Sequence, residues 1–585
     1  MRPSPRLPGL ALGALLAFRV TGSAEAADAP SAAFPRLLAR VPVGNSLADV
    51  RVPVHAHLVG ADGADYALAF APAGALAFAA GVRSLAAAAS PEEFVVATER
   101  RRGARARAAA LAEVVLDDGR NVVARADEAQ AAALSAAGFD LYRLSAEPMV
   151  VRAPAAAPAA AVTFDPSVAA LVAGVTEAEA AATAGDLSGE HAATISGNPV
   201  TILTRYTSHA TQLLWATQYA RERFLSYGLS PSFQPWFHGS IADRNVVAEL
   251  TGTTRPSEIV LVTAHLDDMP PGSLAPGADD DASGATGVLL AAEALAGHRF
   301  QRTVRFVLFT GEEQGLYGSA AYASLLSSAG ANVVAVLNLD MIGWDGSGAP
   351  SLRLHTRIAS NPGYAADLAV AETFRSAAAA YVGDALLPID DPDGITASDH
   401  ASFWARGWPG ILAIEDDVSD FSPWYHTSGD TLSTLNLSYF TSFVKAAVAT
   451  AAHLAVPASQ GTSFYPLVPC RVLDTRDAGR ASGLGPPALA PGQARAFVAD
   501  GVCGIPAEAA AVAVNVTAVE PAAAGFVTLY PGRGTAPVAS VVHFSPGRIR
   551  ASSSILPLAP GAVFSALNAS SGSLHLVVDV VGVFR

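Results

Sequence analysis

The sequence predicts an α/β fold for its central part, residues 165–457, with an α+β domain before it and an all-β domain after it. In the central part, apolar strand-like runs alternate with helical patterns, which is typical of a mostly parallel, mixed sheet with helices on both faces. A Pro/Ala-rich linker, residues 153–164, separates this part from the preceding block. From residue 462 onward, short β-branched runs are separated by Gly, Pro and Ser turns, as in a β-sandwich.

The first 26 residues have the pattern of a secretory signal peptide. Arg2 and Arg6 precede an apolar stretch, residues 7–18, and small residues follow up to Ala26. No later stretch of the sequence offers about 20 uninterrupted apolar residues, the length that a membrane-spanning helix requires. We therefore expect a secreted product, extracellular or periplasmic, for which a membrane is not a partner.

Residues 34–152 form the predicted N-terminal domain. A strand-like run, 50–58, is followed by an Ala/Arg-rich pattern predicted to be helical, 99–115, and the domain ends in a helix, turn and strand pattern, 126–144. Two interpretations stay open: a propeptide that shields a site or assists folding, and a permanent accessory domain. The arginine-rich run 100–107 is interpreted as a solvated helix face or, alternatively, as a processing site.

The central domain contains four strand-like runs and two helical patterns that alternate along the chain. The predicted strands cover residues 258–263, 303–310, 332–339 and 410–414. The predicted helices cover residues 283–297 and 316–326. In a sheet of this kind, ligands bind at the carboxyl ends of the strands, so the residues that follow each strand are the candidates for a functional site.

The C-terminal domain, residues 462–585, is predicted to be all-β and β-sandwich-like. It contains the two cysteines of the chain, Cys470 and Cys503. In an exported protein two such cysteines favour a disulfide over free thiols, because the compartment permits oxidation.

Residues that can bind metal follow one strand after another. In chain order they are His265 and Asp267, the triplet Asp279, Asp280 and Asp281, the pair Glu312 and Glu313, then Asp340, and His426 beside Tyr425. Three adjacent carboxylates repel one another unless a cation neutralises them. Two histidines with several carboxylates are a ligand set for zinc or another divalent transition metal, whereas calcium favours oxygen ligands throughout.

The same residue types suggest a hydrolytic centre. A carboxylate can bridge two metal ions that together activate a water, and one aspartate of the triplet suits this role because neighbouring glycines let the backbone approach. Asp267, two residues after His265, is placed to accept a hydrogen bond that fixes the imidazole tautomer. Because Glu312 and Glu313 point in different directions, one can bind metal while the other serves as general base.

These motifs resemble those of the secreted bacterial zinc aminopeptidases with two co-catalytic metals, the leucyl aminopeptidase-like members of metallopeptidase clan MH. The resemblance spans residues 245–435 and covers motif order, strand context and spacing. It implies the zinc exopeptidase fold and two Zn²⁺ per chain. The segment "SDHASF", residues 398–403, is a landmark of the family, and its Asp399 and His400 are expected to support the site rather than to bind metal.

The resemblance also implies a role for each residue. One zinc would be held by His265, Asp280 and Asp340, and the other by Asp280, Glu313 and His426. Asp280 would bridge the two ions, Glu312 would be the general base, and Tyr425 would stabilise the oxyanion. Beyond this part of the chain, the C-terminal domain resembles the "PCRVLDTR"-type β modules appended to exported bacterial enzymes, a likeness that names a module without an activity.

The expected function is a secreted, zinc-dependent aminopeptidase that acts on peptides as a monomer. A net charge of −15 argues against nucleic acid as a partner. Three alternatives stay open: a glutaminyl cyclase of related fold, a carboxypeptidase of the same clan, and a binding protein that uses the peptidase fold as a scaffold. In the last case the C-terminal module would attach the protein to a glycan or a cell surface.

Overall fold

A computed structural model describes residues 36–77, 81–154, 162–207, 210–458 and 463–585. The predicted signal peptide, residues 1–26, lies outside these ranges, as does most of the predicted linker. The chain divides into two compact units, Met1–Ala458 and Ser459–Arg585. The predicted N-terminal and central domains therefore fall within one unit.

The N-terminal domain consists of two four-stranded antiparallel sheets and three helices. Its strands are β1 (Arg36–Pro42), β2 (Val54–Val59), β3 (Asp65–Pro72), β4 (Arg83–Ala87), β5 (Phe94–Glu99), β6 (Glu113–Asp117), β7 (Asn121–Arg125) and β8 (Phe139–Arg143). Its helices are α1 (Ala73–Leu76), α2 (Ala108–Leu111) and α3 (Glu128–Ala137). The strand orders are β2-β3-β1-β4 and β6-β7-β5-β8. The two sheets share a core that also includes Leu316 and Ala401 of the central domain.

The end of this domain folds as its sequence pattern indicates. Asp127 and Gln130 form a capping box that begins α3, and Gly138, with φ of 103°, ends it in the left-handed conformation before β8. The predicted helix over 99–115 is wrong for most of its length. The carboxylate of Glu99 accepts hydrogen bonds from the backbone N–H groups of Gly103 and Arg105, and these bonds fold the start of the segment into a turn. Only a 3-10 turn, Arg105–Arg107, and the short α2 are helical.

The central domain is built on a mixed eight-stranded sheet with the order β11-β12-β14-β13-β15-β18-β16-β17. Strands β13, β14, β15 and β18 lie parallel to one another and correspond to the four predicted strands. The strands of this domain are β9 (Ala193–Ile195), β10 (Asn198–Val200), β11 (Ser232–His238), β12 (Ile241–Leu250), β13 (Arg255–His265), β14 (Arg302–Phe309), β15 (Asn332–Leu339), β16 (Ser351–His355), β17 (Leu387–Asp391) and β18 (Gly410–Glu415). The sequence pattern identified the parallel centre of the sheet and missed the strands that flank it.

Helices cover both faces of this sheet, as predicted. They are α4 (Pro166–Gly174), α5 (Glu177–Leu187), α6 (Ala210–Ser226), α7 (Ala282–Leu295), α8 (Tyr317–Ser328), α9 (Tyr364–Tyr381), α10 (His400–Trp404) and α11 (Leu437–Ala455). Alternate residues of β13 explain the arrangement: Val260 and Val262 belong to the core that contains α7 and α11, whereas Leu261 packs with Tyr322 of α8 and Phe403 of α10. Both faces of the parallel strands are therefore buried.

The C-terminal unit consists of two four-stranded antiparallel sheets around one apolar core. Its strands are β19 (Phe464–Asp474), β20 (Ala494–Val498), β21 (Ala511–Val519), β22 (Gly525–Pro531), β23 (Val542–Phe544), β24 (Arg550–Pro557), β25 (Val563–Ser570) and β26 (His575–Phe584). The sheet orders are β19-β26-β21-β24 and β20-β25-β22-β23. Cys470 and Cys503 form a disulfide, which confirms that prediction.

Among the residues that the structure describes, no single helix is both long and apolar enough to cross a membrane. Helices α4 and α5, bent by 51° at their junction, meet the criteria of length and composition only when they are taken together.

Candidate metal centre

The carboxyl edge of the central sheet brings the predicted metal ligands together. His265 is the last residue of β13, Asp340 follows β15, and Glu313 lies in the loop after β14. Asp280 stands just before α7, and His426 lies between β18 and α11. All five side chains are buried, and their ligand atoms form two groups within which the atoms lie no more than 4.8 Å apart.

Asp280 belongs to both groups and presents one carboxylate oxygen to each. In the first group, Nε2 of His265 lies 3.3 Å from Oδ1 of Asp280 and 3.6 Å from Oδ1 of Asp340. In the second group, Nε2 of His426 lies 3.3 Å from Oδ2 of Asp280 and 2.8 Å from Oε2 of Glu313. This is the arrangement of a carboxylate that bridges two metal ions.

The backbone around Asp280 is held by its neighbours. The carboxylate of Asp430 accepts hydrogen bonds from the N–H groups of Asp279 and Asp280, at 3.0–3.1 Å. Gly277, with φ of 44°, permits the turn that precedes them, because a Cβ there would lie 2.1 Å from the carbonyl oxygen of Asp280. Asp281 caps α7 by accepting a hydrogen bond from the N–H of Gly284 at 2.8 Å.

Asp267 is placed differently from the prediction. The acceptor nearest to Nδ1 of His265 is the backbone carbonyl of Asp267, at 3.0 Å, while the Asp267 carboxylate is 3.8 Å away. That carboxylate instead accepts hydrogen bonds from the backbone N–H groups of Glu312 and Glu313, each at 3.2 Å, and from the hydroxyl of Thr207 at 3.0 Å. Its contacts therefore fix the loop that carries the two glutamates.

Two further residues of this region hold the ligand Asp340 and its surroundings. Ser398 donates a hydrogen bond to Oδ2 of Asp340 at 2.5 Å and accepts one from Asn338 at 2.8 Å. His400 hydrogen-bonds the carbonyl of Ile395 through Nε2 at 2.9 Å, and burial lowers its pKa to about 3. Neither Asp399 nor His400 belongs to a candidate ligand group within the described ranges.

The ligand atoms of these side chains would be better satisfied by a bound cation than they are by hydrogen bonds to one another. Asp280, Glu313 and His426 form one ligand group, yet within the described part of the chain their buried atoms Oδ2, Oε1 and Nε2, respectively, make no hydrogen bond of favourable geometry. Burial raises the pKa of Glu313 to about 7, and burial together with the nearby Glu313 raises the pKa of Glu312 well above its usual range. A divalent cation would satisfy these atoms and compensate the surplus of carboxylates.

The N-terminal domain touches this centre directly. Nδ1 of His426 is 2.9 Å from the carbonyl oxygen of Ser135, at the end of α3, and the Ser135 hydroxyl donates to Oε2 of Glu313 at 3.3 Å. The hydroxyl of Tyr425 donates to the carboxylate of Asp140. Arg101 donates to the backbone carbonyls of Tyr425 and His426, at 2.5 and 3.1 Å. The predicted oxyanion donor is thus engaged by the N-terminal domain.

Sequence reasoning missed several residues that shape the site. Asp430 stands four residues after His426 in the motif "HTSGDT", and Ser398 opens "SDHASF", so both could have been found from their motifs. Ser135, Asp140 and Arg101 lie in the N-terminal domain, far from the site in sequence; Arg101 belongs to the arginine-rich run 100–107, but no pattern links any of the three to the site.

Comparison with known proteins agrees with the geometry. Residues 245–451 match the family model described as Peptidase family M28. A "Probable leucine aminopeptidase" of Trichophyton verrucosum is 31% identical over 215 residues, which cover 35% of this chain and 55% of the relative. The chain thus spans about half the length of this curated relative, which is fungal. The family match and the relatives support the prediction of a zinc metallopeptidase, a hydrolase.

Two solved structures are also similar to parts of the chain. The LapA aminopeptidase of Legionella pneumophila is 19% identical and aligns over 63% of this chain and 99% of its own, with a TM-score of 0.49. A glutaminyl cyclase of Macrostomum lignano is 19% identical and aligns over 53% of this chain and 100% of its own, with a TM-score of 0.43. The family match ends at residue 451, so the resemblance of the C-terminal domain to exported β modules stays a prediction.

Proposed function

We propose that this chain is a secreted aminopeptidase that uses two zinc ions to hydrolyse the N-terminal residue from peptides. The observation that carries the proposal is the pair of buried ligand groups joined by Asp280, with Glu312 beside them. A site of this kind supports hydrolysis of a peptide bond by an activated water. The family match over residues 245–451 supports the same reaction class.

His265, Asp280 and Asp340 would hold one zinc ion, and Asp280, Glu313 and His426 would hold the other. When bound, the ions polarise the scissile carbonyl and lower the pKa of a bound water. Glu312 would take a proton from the attacking water and deliver it to the leaving amine. Its burial favours this role, because burial raises the pKa of Glu312 well above its usual range and so makes the carboxylate a stronger base.

Tyr425 would donate a hydrogen bond from its hydroxyl to the oxyanion as the carbonyl carbon becomes tetrahedral. Its ring stacks on that of His426, with centroids 3.7 Å apart, which keeps the hydroxyl near the ligand groups. In the present arrangement, Asp140 accepts that hydrogen bond. The hydroxyl becomes available to a substrate only when Asp140 moves away.

Of the two interpretations of the N-terminal domain, these contacts favour a propeptide that shields the site. Asp140 binds the hydroxyl of the oxyanion donor Tyr425, which an accessory domain compatible with catalysis would leave free. The contacts of Ser135 with His426 and Glu313 are those that support metal ligands, so they do not decide between the two interpretations. Release of the domain, after cleavage in the region 153–164, would open the centre. We also propose that the protein is exported, that it is a monomer, and that its C-terminal domain attaches to a glycan or cell surface. The disulfide between Cys470 and Cys503 is consistent with export.

The test compares purified full-length protein before and after cleavage at a protease site introduced between residues 153 and 164. An aminopeptidase releases free amino acid from aminoacyl p-nitroanilides after cleavage, loses this activity to a chelator and recovers it with Zn²⁺. A carboxypeptidase would instead act on N-blocked peptides, and a glutaminyl cyclase would convert N-terminal glutamine without releasing it. Retention on insoluble polysaccharide without any hydrolysis would identify a binding protein.

A further inference from the structure

Arg100 of the N-terminal domain enters the cavity at the metal centre. This cavity is lined by the ligand side chains together with Arg100 and Asp140, and the Arg100 side chain is only 8% exposed. Its Nε donates to Asp140 and its Nη1 donates to Asp417 of the central domain, both at 2.6 Å. The prediction of a solvated helix face is therefore wrong for this arginine, and the reason is its partner Asp417, which is buried with a side-chain exposure of 2%.

The rest of the cavity suits a long side chain that ends in a cation. Its apolar walls include Met341, Ile414 and Phe421. The guanidinium carbon of Arg100 lies 5.5 Å from the centre of the Phe421 ring, within the range of a cation–π contact. Phe421 packs against Tyr425 at 5.1 Å, and Tyr425 stacks on the ligand His426. The guanidinium of Arg100, which binds Asp417, is thus in contact with a wall of side chains that leads to the metal centre.

Removal of the N-terminal domain would leave this region short of positive charge. His355 lies between two carboxylates, with Nε2 3.2 Å from Asp417 and Nδ1 3.0 Å from Asp393. Asp393 is also paired with Arg120 of the N-terminal domain at 2.5 Å. With the N-terminal domain in place, both carboxylates are largely buried, and each has an arginine as well as His355 for a partner. When Arg100 and Arg120 leave together, one imidazolium remains for the two carboxylates, so the open cavity favours a new cationic occupant.

We propose that Asp417 determines side-chain specificity, and that the opened site releases N-terminal arginine and lysine. In the closed form, Arg100 occupies the place of the substrate side chain: its stem lies against apolar walls and its guanidinium binds Asp417. This inference rests on the proposed function and deepens it by naming the substrate class. The carboxylate that the guanidinium of Arg100 reaches discriminates by charge, because a neutral side chain would leave it with only the imidazole that it shares with Asp393.

The experiment measures kcat/KM on arginyl, lysyl, leucyl and methionyl p-nitroanilides, with the full chain cleaved between residues 153 and 164 and loaded with Zn²⁺. We expect the basic substrates to exceed the apolar ones by about tenfold or more. Asp417→Asn should remove this preference by lowering kcat/KM for the basic substrates, chiefly through KM, while kcat/KM for the leucyl substrate should not fall. Asp416→Asn is the matched control, because the Asp416 carboxylate binds Ser351 and Arg353 instead of Arg100.

Equal or better hydrolysis of the leucyl substrate by the wild-type protein would overturn the specificity and leave the proposed aminopeptidase intact. Equal losses on all four substrates in Asp417→Asn would show that Asp417 supports the structure of the site without selecting the side chain, and no loss on any of them would show that it only anchors the N-terminal domain; either result would overturn the proposal. Absence of hydrolysis of any substrate would overturn the proposed function and this inference with it. A measurement on the wild-type protein avoids any folding defect of the variant: L-arginine should inhibit at least about tenfold more strongly than L-norleucine, and equal inhibition would refute the proposal.

Discussion

The hydroxyl of Tyr425 donates a hydrogen bond to the carboxylate of Asp140, so a residue of the N-terminal domain engages the group that we assign to the oxyanion. Ser135, which also belongs to the N-terminal domain, contacts the candidate ligand His426: the carbonyl oxygen of Ser135 lies 2.9 Å from Nδ1 of that histidine. Both contacts come from one short part of the N-terminal domain, the end of α3 and the start of β8. The N-terminal domain therefore contacts the proposed catalytic groups through a few hydrogen bonds, and single substitutions can remove these bonds one at a time.

Arg101→Ala should raise the residual hydrolytic activity of the uncleaved full-length chain by at least about threefold. Arg101 donates to the carbonyls of Tyr425 and His426, so its loss weakens the attachment of the N-terminal domain over the site. Initial rates on an aminoacyl p-nitroanilide, measured before and after cleavage in the region 153–164, report this effect. The cleaved forms of the variant and the wild type should be equally active.

Arg102→Ala is the matched control, because Arg102 is the adjacent arginine and is exposed. It should leave the latency of the full-length chain unchanged. If the uncleaved wild-type chain were already as active as the cleaved one, the domain would be a permanent accessory, and the shielding role would be excluded.

Glu312→Gln should lower kcat by about 10²- to 10⁴-fold while the protein keeps its bound zinc. The amide has nearly the same shape as the carboxylate but cannot accept the proton of the attacking water. Glu313→Gln is the informative comparison, because Glu313 lies 2.8 Å from Nε2 of His426 in a ligand group and its loss should reduce metal content as well. Metal analysis by mass spectrometry with steady-state kinetics separates the two roles, and full activity of Glu312→Gln would refute the assigned base.

Asp280→Ala should bind neither zinc tightly, whereas Asp340→Ala should lose about one of two ions. The reason is geometric: Asp280 presents Oδ1 to His265 and Oδ2 to His426, while Asp340 belongs to the first group only. Zinc per chain, measured after dialysis against a weak chelator, gives the answer. Identical metal content in the two variants would contradict the assignment of Asp280 as the shared ligand.

The site was predictable from sequence because each ligand follows a strand of the parallel centre. Once β13, β14 and β15 are identified, their carboxyl ends must meet at one edge, and His265, Glu313 and Asp340 come together without further information. The flanking strands β11, β12, β16 and β17 were missed. They are short or half-exposed, and they lack the continuous apolar pattern of a doubly covered strand.

The contacts of the N-terminal domain were not predictable, because they depend on how two domains pack. Arg100 and Arg102 belong to the same arginine-rich run, yet one is buried against Asp417 and the other is exposed. Local composition is the same for both, and what distinguishes Arg100 is the position of its partners Asp140 and Asp417, which follow it by 40 and 317 residues. The role of Asp267 was mispredicted for a similar reason. Its spacing from His265 suggested that its carboxylate would bind the imidazole, but the carboxylate accepts hydrogen bonds from the backbone N–H groups of Glu312 and Glu313.

The stability of the first unit should fall as the pH rises towards 10, and His355 should be responsible for part of this fall. Burial alone would lower the pKa of His355, but Asp417 and Asp393 outweigh burial and raise it from 6.5 to about 10. A pKa that is higher in the folded than in the unfolded protein stabilises the fold fully below pH 6.5, and this stabilisation is lost as the pH approaches 10.

Tryptophan fluorescence isolates the relevant transition, because all six tryptophans of the chain precede residue 425 and so lie in the first unit. The thermal midpoint of the wild-type full-length chain should fall between pH 6 and pH 10 by at least about 2 °C more than that of His355→Gln. His298→Gln, at an exposed histidine, should follow the wild type. If the thermal midpoints of the wild type and His355→Gln changed with pH in parallel, the imidazole would not be charged between its two aspartates. The charge balance that we assign to the cavity beside the metal centre would then be incorrect.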